Sequence, residues 1–336
     1  MQFSVIIPTC SPAIPLKACL DSLRHQTLSR EKYEIIVVNN GGGAHSKKFL
    51  EPLLADFSDR VRLIEAGGNR GYAGGCRLGV EHASGQYLAF HNDDSLADPA
   101  WLALALTTLD QAPDAGAVTC RIVCMDRPVI QHEGSAMTHP HGLFWQAGYG
   151  LPDRSESCRG AMVDDLDFFG GCVWATPRKV WDEIGGLSGK YHPGYYEDSE
   201  YALRCRQLGY RILLLKSVTC SHIMSATLGP DQDRFWKVFH RSRFLFLQRN
   251  LTGYSLRETI QSEFAWWRNH QPATAPGSAG GDFCQAFRDC QSLCWRVPVG
   301  RKEFFGLQNP AREKKTSLWP TPETSQPAKA IDRPEI

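Results

Sequence analysis

No stretch of this 336-residue chain stays apolar for the roughly 18 residues that a membrane-crossing helix needs. An excess of charge is missing too. Lys and Arg total 37 against 36 Asp and Glu, a net charge of +1, so no global field recruits nucleic acid or an anionic membrane. Any anion must be bound locally. No charged-then-apolar leader precedes the first apolar run, which starts at Gln2, and the twelve cysteines are scattered; both point to a reducing, cytoplasmic setting. Cys284, Cys290 and Cys294 come nearest to a metal set, but their spacing fits no zinc pattern and no histidine lies near, so they are expected as buried or free thiols. Two phosphate-binding fingerprints are also absent. The first strand is not followed by Gly-x-Gly-x-x-Gly, and no Gly-Lys-Ser/Thr closes a P-loop.

What is present is an alternation. Branched apolar runs at 3–8, 33–38, 61–64 and 86–90 read as buried strands, and 16–23, 47–57, 74–83 and 99–109 read as helices between and after them. Such alternation predicts βαβ units and a mostly parallel sheet, with ligands gathering beyond the carboxyl ends of the strands. Further on, a strand is expected at 166–174, a helix at 178–184, another after Glu197 and a strand at 211–215, followed at a short distance by His222. A basic, aromatic stretch over 234–250 and further helix at 256–269 and 282–295, split by the Pro/Ala/Gly/Ser segment 272–281, form a C-terminal extension. The composition after about 306 predicts disorder. The expected division is therefore 1–233, 234–305 and 306–336.

Three constellations carry chemistry. Asn92-Asp93-Asp94 follows a strand and offers hard oxygen ligands to a divalent cation, or simply an acidic turn with Asp98 capping the next helix. Gly67-Gly68-Asn69-Arg70-Gly71-Tyr72-Ala73-Gly74-Gly75 opens a helix and would let backbone amides approach an anion, or serve as a flexible turn. Tyr195-Tyr196-Glu197-Asp198 leads a helix, where Asp198 could act as a general base or merely satisfy the helix dipole; Glu200 and Arg204 form an i,i+4 pair on another face.

The order of these segments resembles the family 2 inverting glycosyltransferases. It runs Ser4-Val5-Ile6-Ile7-Pro8-Thr9, Val37-Val38-Asn39-Asn40, Asn69 to Gly75, Asn92-Asp93-Asp94, Gly170-Gly171, Tyr196-Glu197-Asp198 and His222, and within the family it is similar to the rhamnosyltransferase-like and galactofuranosyltransferase-like branch. The resemblance covers roughly 2–250. It implies an α/β fold of GT-A type, a Rossmann-like, mostly parallel mixed sheet flanked by helices, with a UDP- or dTDP-sugar donor and a glycan or lipid-linked acceptor of cell-surface polysaccharide synthesis. Carried over by position, Pro8 and Thr9 border the base and ribose, and Asn39 stands where the family has a base-binding Asp. Asn69, Gly71, Gly74, Asp93, Gly171 and Glu197 line the nucleotide-sugar site. Asn92 and Asp94 occupy the Asp-x-Asp positions, His222 is a further ligand for Mg2+ or Mn2+, and Asp198 is the catalytic base. Asn39 and Asn92 depart from the pattern by replacing carboxylates.

Arg241 and Arg243 could clamp the diphosphate. Alternatively the Phe/Trp face of 234–250 could rest on the inner face of a membrane as a peripheral contact. Two other functions fit less of the sequence. A sugar-nucleotide nucleotidyltransferase would want a Gly-rich, basic loop where Pro8-Thr9-Cys10-Ser11-Pro12 stands, and a non-catalytic nucleotide-sugar-binding scaffold leaves Asp198 and His222 without a purpose.

Overall fold

A computed structural model describes residues 1–10, 14–41, 44–57, 61–138, 142–153, 163–223, 232–250 and 261. The expected helices at 256–269 and 282–295, the segment 272–281, the three C-terminal cysteines and the tail 306–336 lie outside the described residues, apart from Gln261.

The first half alternates as its periodicity predicts. Strands β1 (Phe3–Thr9), β2 (Tyr33–Asn39), β3 (Val61–Glu65) and β4 (Tyr87–His91) are parallel, in the order β4-β1-β2-β3. Helices α1 (Ile14–Arg24), α2 (Ala44–Ala55) and α3 (Gly71–Glu81) connect them. Every residue of β1 is buried, because both faces of the strand are covered. Phe3, Val5 and Ile7 face Leu16, Leu20 and Leu23, which recur every three to four residues along α1, while Ile6 points the other way onto Cys76 and Val80 of α3.

After β5 (Ser95–Leu96) and α4 (Trp101–Gln111) the sheet continues through β6 (Ala115–Cys124), flanked by the short β7 (Ile130–His132). A separate hairpin, β8 (Ser135–Thr138) and β9 (Leu143–Gln146), stands beside it. The sheet closes with β10 (Val163–Leu166), β11 (Val173–Pro177) and β12 (Arg211–His222), giving the order β10-β12-β6-β11-β4-β1-β2-β3. Helices α5 (Arg178–Ile184) and α6 (Glu197–Gln207) pack against its second half.

Two expectations need correcting. The single strand at 166–174 is two strands, because β10 pairs with β12 at the sheet edge while β11 runs antiparallel between β4 and β6. The chain must cross from one place to the other, and Gly170 and Gly171 lie in that crossing. The strand expected at 211–215 runs on to His222: a register shift between Leu215 and Thr219 lets β12 resume pairing with β6, so the histidine ends a strand instead of following one.

Helix α7 (Gln232–Asn250) turns its apolar face inward. Phe244, Phe246 and Leu247 are buried, Phe246 packs among Phe144 and Tyr196, and Arg249 pairs with Glu200 at 2.7 Å. Of the aromatic stretch that the sequence offered to a membrane, Phe244, Phe246 and Leu247 are thus covered by protein, while Phe235, Val238, Phe239 and Leu245 are partly buried. Among the described residues no helix is long and apolar enough to cross a membrane.

Candidate functional site

The carboxyl ends of β1 and β4, the end of β12, the crossing before β11 and the start of α6 open onto one cleft of about 560 Å³. Pro8, Asn69, Gly71, Asn92, Asp93, Gly171, Glu197, Asp198 and His222 line it together, though they span more than two hundred residues of chain. Thr9, Asn39, Gly74, Asp94 and Arg241 do not line it.

Local pairing brings the acidic turn to the histidine. β5 runs antiparallel to the end of β12, with Ser95 opposite His222, and so folds the turn Asn92–Asp94 back against the imidazole. Backbone bonds hold the turn: Asn92 N–H donates to Cys172, Ser95 N–H to Asn92 and Ile223 N–H to Asp94. Nδ1 of His222 lies 3.0 Å from Oε1 of Gln131. With the proton on Nδ1, the Nε2 lone pair points at Asp94 Oδ1, 3.1 Å away, and at the Asn92 amide, 3.2 Å away.

Asp94 Oδ1 is buried yet has no hydrogen-bond partner, so the close approach to Nε2 lacks the alignment of a hydrogen bond. Two acceptors this close need a proton or a cation between them. Turning the Asn92 amide, whose O and N are an assignment, adds a second oxygen. One imidazole nitrogen, one carboxylate and one amide oxygen fit a hard divalent ion, although no group of three His, Cys, Asp or Glu side chains suited to a metal occurs among the described residues. Asp93, beside them, accepts from Thr9 Oγ1 at 2.5 Å; burial, with a smaller push from Asp94, raises its pKa to about 6.

On another wall, Asp198 is held by backbone donors. Gly171 N–H reaches Oδ2 at 2.7 Å and Ser199 N–H reaches Oδ1 at 2.6 Å. Burial raises its pKa, and these bonds act in the opposite direction by favouring the anion. A Cβ at Gly171 would crowd Asp198 Oδ2 at 3.1 Å and displace the carboxylate by a few tenths of an ångström; the Gly171 carbonyl in turn accepts from Tyr72 at 2.6 Å. Glu197 is buried, its Oε2 has no partner, and burial pushes its pKa well above the usual carboxylate range. The two residues ahead of this pair, Tyr195 and Tyr196, have φ of 71° and 70°. Left-handed backbone costs a tyrosine free energy, and here aromatic packing on Phe239 and Phe246 holds it.

In the Gly-rich loop three amides have partners within the protein: Arg70 N–H goes to Asn40 Oδ1, Gly71 N–H to Asn69 Oδ1 and Tyr72 N–H to the Pro193 carbonyl. Some of its glycines permit close packing. At Gly71, φ is +70° and an added Cβ would sit 2.8 Å from the Pro193 oxygen. Of the two arginines expected as a clamp, Arg241 donates to the His192 carbonyl and Arg243 is buried against the Phe244 ring. Asn39 is buried and donates to Glu65 at 2.9 Å, whereas its neighbour Asn40, which sequence reasoning passed over, reaches the cleft and holds the loop. Gln131, His132, Ser135 and Gln146 were missed as well; they lie on short strands whose polar interruptions hide any period.

The profile described as glycosyl transferase family 2 matches residues 4–173, half of the chain. The chain is 32% identical over 106 residues to the glycosyltransferase AglE of Haloferax volcanii, covering 32% of this chain and 34% of that protein. It is 32% identical over 213 residues to a PGL/p-HBAD biosynthesis glycosyltransferase of Mycobacterium bovis, covering 56% of this chain and 79% of that protein. The chain spans between 18% and 34% of the length of three curated relatives it matches. Among solved structures, it is similar to the mannosyltransferase PcManGT of Pyrobaculum calidifontis in complex with GDP-Man and Mn2+, with a TM-score of 0.54 and 20% identity over 87% of this chain and 78% of that one. That likeness shows the GT-A fold. The motif order, the cleft at the strand ends and the profile match agree: this chain belongs to glycosyl transferase family 2.

Proposed function

We propose that the chain is an inverting glycosyltransferase that moves a sugar from a UDP- or dTDP-linked donor to a hydroxyl of a glycan or lipid-linked acceptor in cell-surface polysaccharide synthesis. Within the family we place it in the rhamnosyltransferase-like and galactofuranosyltransferase-like branch, on the motif order alone. One observation carries the reading. Asn92 and His222, with Asp94 buried behind them, share a single cleft with the buried carboxylate of Asp198, and its described lining contains Asp93, Glu197 and Asp198 but neither Lys nor Arg. A diphosphate entering it meets no side-chain cation and needs a bound one.

Mg2+ or Mn2+, held by Asp94, His222 and the turned amide of Asn92, would offset the charge that builds on the leaving diphosphate. Asp198 takes the proton of the acceptor hydroxyl as that oxygen attacks the anomeric carbon and the bond to the diphosphate breaks, so configuration inverts. Burial makes Asp198 a stronger base than a solvated aspartate, and the two backbone donors fix its orientation. Pro8, Asn40, Asn69 and Gly71 border the nucleotide end. In this reading 1–233 binds donor and acceptor, 234–305 begins with α7 bracing the Tyr195–Tyr196 corner, and 306–336 is a tail.

A thermal-shift screen of UDP-, dTDP- and GDP-sugars with and without Mn2+ tests the reading. A donor at about 100 times its Kd adds about 2.7 kcal/mol of stability. We expect a UDP- or dTDP-sugar to raise Tm only when Mn2+ is present. No shift with any donor contradicts the proposal.

A further inference from the structure

Part of the cleft is still without a partner: the wall built by β7, β8 and β9. Gln131, His132 and Ser135 line it from β7 and β8, Gln146 from β9, with Phe144 and Phe169 beside them. This wall is anchored. The buried Arg121 on β6 pairs with Glu133 at 3.2 Å and Asp153 at 2.8 Å, one on each side of the hairpin in sequence.

One backbone donor orients the hydrogen bonds of His132 on this wall. Gly134 N–H can only donate, and it points at His132 Nδ1 at 3.3 Å. Burial lowers the His132 pKa to about 4, so the ring is neutral and carries its single proton on Nε2. Nε2–H therefore donates to Ser135 Oγ, 2.7 Å away. The serine hydroxyl has thus received its bond from the histidine, and its own proton is left to point at the cleft. Gln131 is polarised in the same sense. With the His222 proton on Nδ1, the tautomer that frees Nε2 for a cation, Gln131 Oε1 accepts from it, which leaves the Gln131 NH2 as the group able to meet a ligand. Two donors are presented, and the described lining offers no Lys or Arg with which to neutralise an anion.

We infer that this wall is the acceptor subsite and that it takes a neutral, hydroxyl-bearing sugar ring, whose oxygens accept from Ser135 and Gln131 while its apolar face lies toward Phe144 and Phe169. The inference rests on the transferase reading above and adds the acceptor's chemistry. An anionic sugar fits badly, since Asp93 and Asp198 share the cleft.

Saturation-transfer NMR tests it on the full chain with Mn2+ and UDP present. The probes are neutral para-nitrophenyl hexosides, together with the matching uronides and 6-phosphates. We expect the neutral glycosides to bind more tightly than the anionic ones, Ser135→Ala to weaken them about ten-fold, the loss expected for one hydrogen bond, and Ser135→Thr, which keeps the hydroxyl, to restore most of the affinity. The Kd of UDP should change less than two-fold in Ser135→Ala. Anionic glycosides binding as well as neutral ones, an unchanged affinity in Ser135→Ala, or no binding of any glycoside overturns the inference. The readout is binding and needs no turnover, so the subsite can fail while Asp198 chemistry stands, and the reverse also holds.

Discussion

Asn92→Asp isolates the charge balance of the metal-shaped cluster. The asparagine amide and Asp94 Oδ1 each lie close to one atom, His222 Nε2, at 3.2 and 3.1 Å. An aspartate at 92 would therefore set a second carboxylate no more than about 6 Å from the first, the limit that these two distances allow. At about 6 Å and an effective dielectric near 20, two such charges repel by about 3 kcal/mol. The backbone is not at stake, because Asn92 N–H still donates to Cys172 and its carbonyl still accepts from Ser95, whatever the side chain. In EDTA at pH 8 we expect the variant to melt roughly 6–12 °C below the natural chain. The sign with pH follows from Asp94, which raises the pKa of the new carboxyl. The folded form then holds that proton to higher pH than the unfolded chain, so the penalty is absent in acid and develops as pH rises through the raised value. With Mn2+ present the same charge becomes an asset, and about 3 kcal/mol corresponds to roughly 100-fold tighter binding. Melts in EDTA and in Mn2+, with Mn2+ affinity from electron paramagnetic resonance, measure both effects. A variant as stable as the natural chain in EDTA that also binds Mn2+ no more tightly would refute the reasoning.

Other consequences are independent of this one. Gly71→Ala forces a Cβ to within 2.8 Å of the Pro193 carbonyl at a φ of +70°, so we expect a loss of at least about 2 kcal/mol in chemical denaturation. Trp101→Phe removes the indole N–H that donates to the buried His91 at 2.9 Å, leaving a buried acceptor unmet; denaturant titration should show a cost of about 1–3 kcal/mol. Since burial raises the Asp198 pKa, the acid limb of kcat/KM should lie above the ordinary aspartate range, and turnover should fall as pH drops through it. The stability sign is opposite, because the folded state keeps this proton longer than the unfolded chain, so this group's contribution declines as pH rises over the same span. A pH-rate profile at saturating Mn2+ checks the limb.

The half of the fold built from parallel strands was readable because burial on both faces writes continuous apolar runs, as in Val5-Ile6-Ile7 and Ile35-Ile36-Val37-Val38. The second half was harder. β10 and β11 share one apolar-looking stretch, and only long-range pairing with β12 on one side and β4 and β6 on the other separates them. His222 was picked as a ligand candidate, yet its position depends on the register shift after Leu215, which no local pattern announces. Asn39 and Asn40 illustrate the same limit: adjacent side chains go to different places, one to Glu65 and the other to the Gly-rich loop. Gly71 and Gly75 of that loop were visible but their purpose was not, because the atoms they make room for, in Pro193, Pro8 and Asn40, come from elsewhere in the chain.

Nucleoside diphosphate release from a UDP- or dTDP-sugar, measured with Mn2+ and a neutral glycoside acceptor, compares the natural chain directly with Asp198→Asn. The amide keeps one oxygen for Gly171 or Ser199 but sets its NH2 against the other backbone donor, so about 1–3 kcal/mol of stability is expected to go. Working well below the melting point keeps that loss out of the rate. The account predicts turnover reduced by about 10²- to 10⁴-fold, with donor affinity within two-fold of the natural chain. Equal turnover in the two proteins would contradict it.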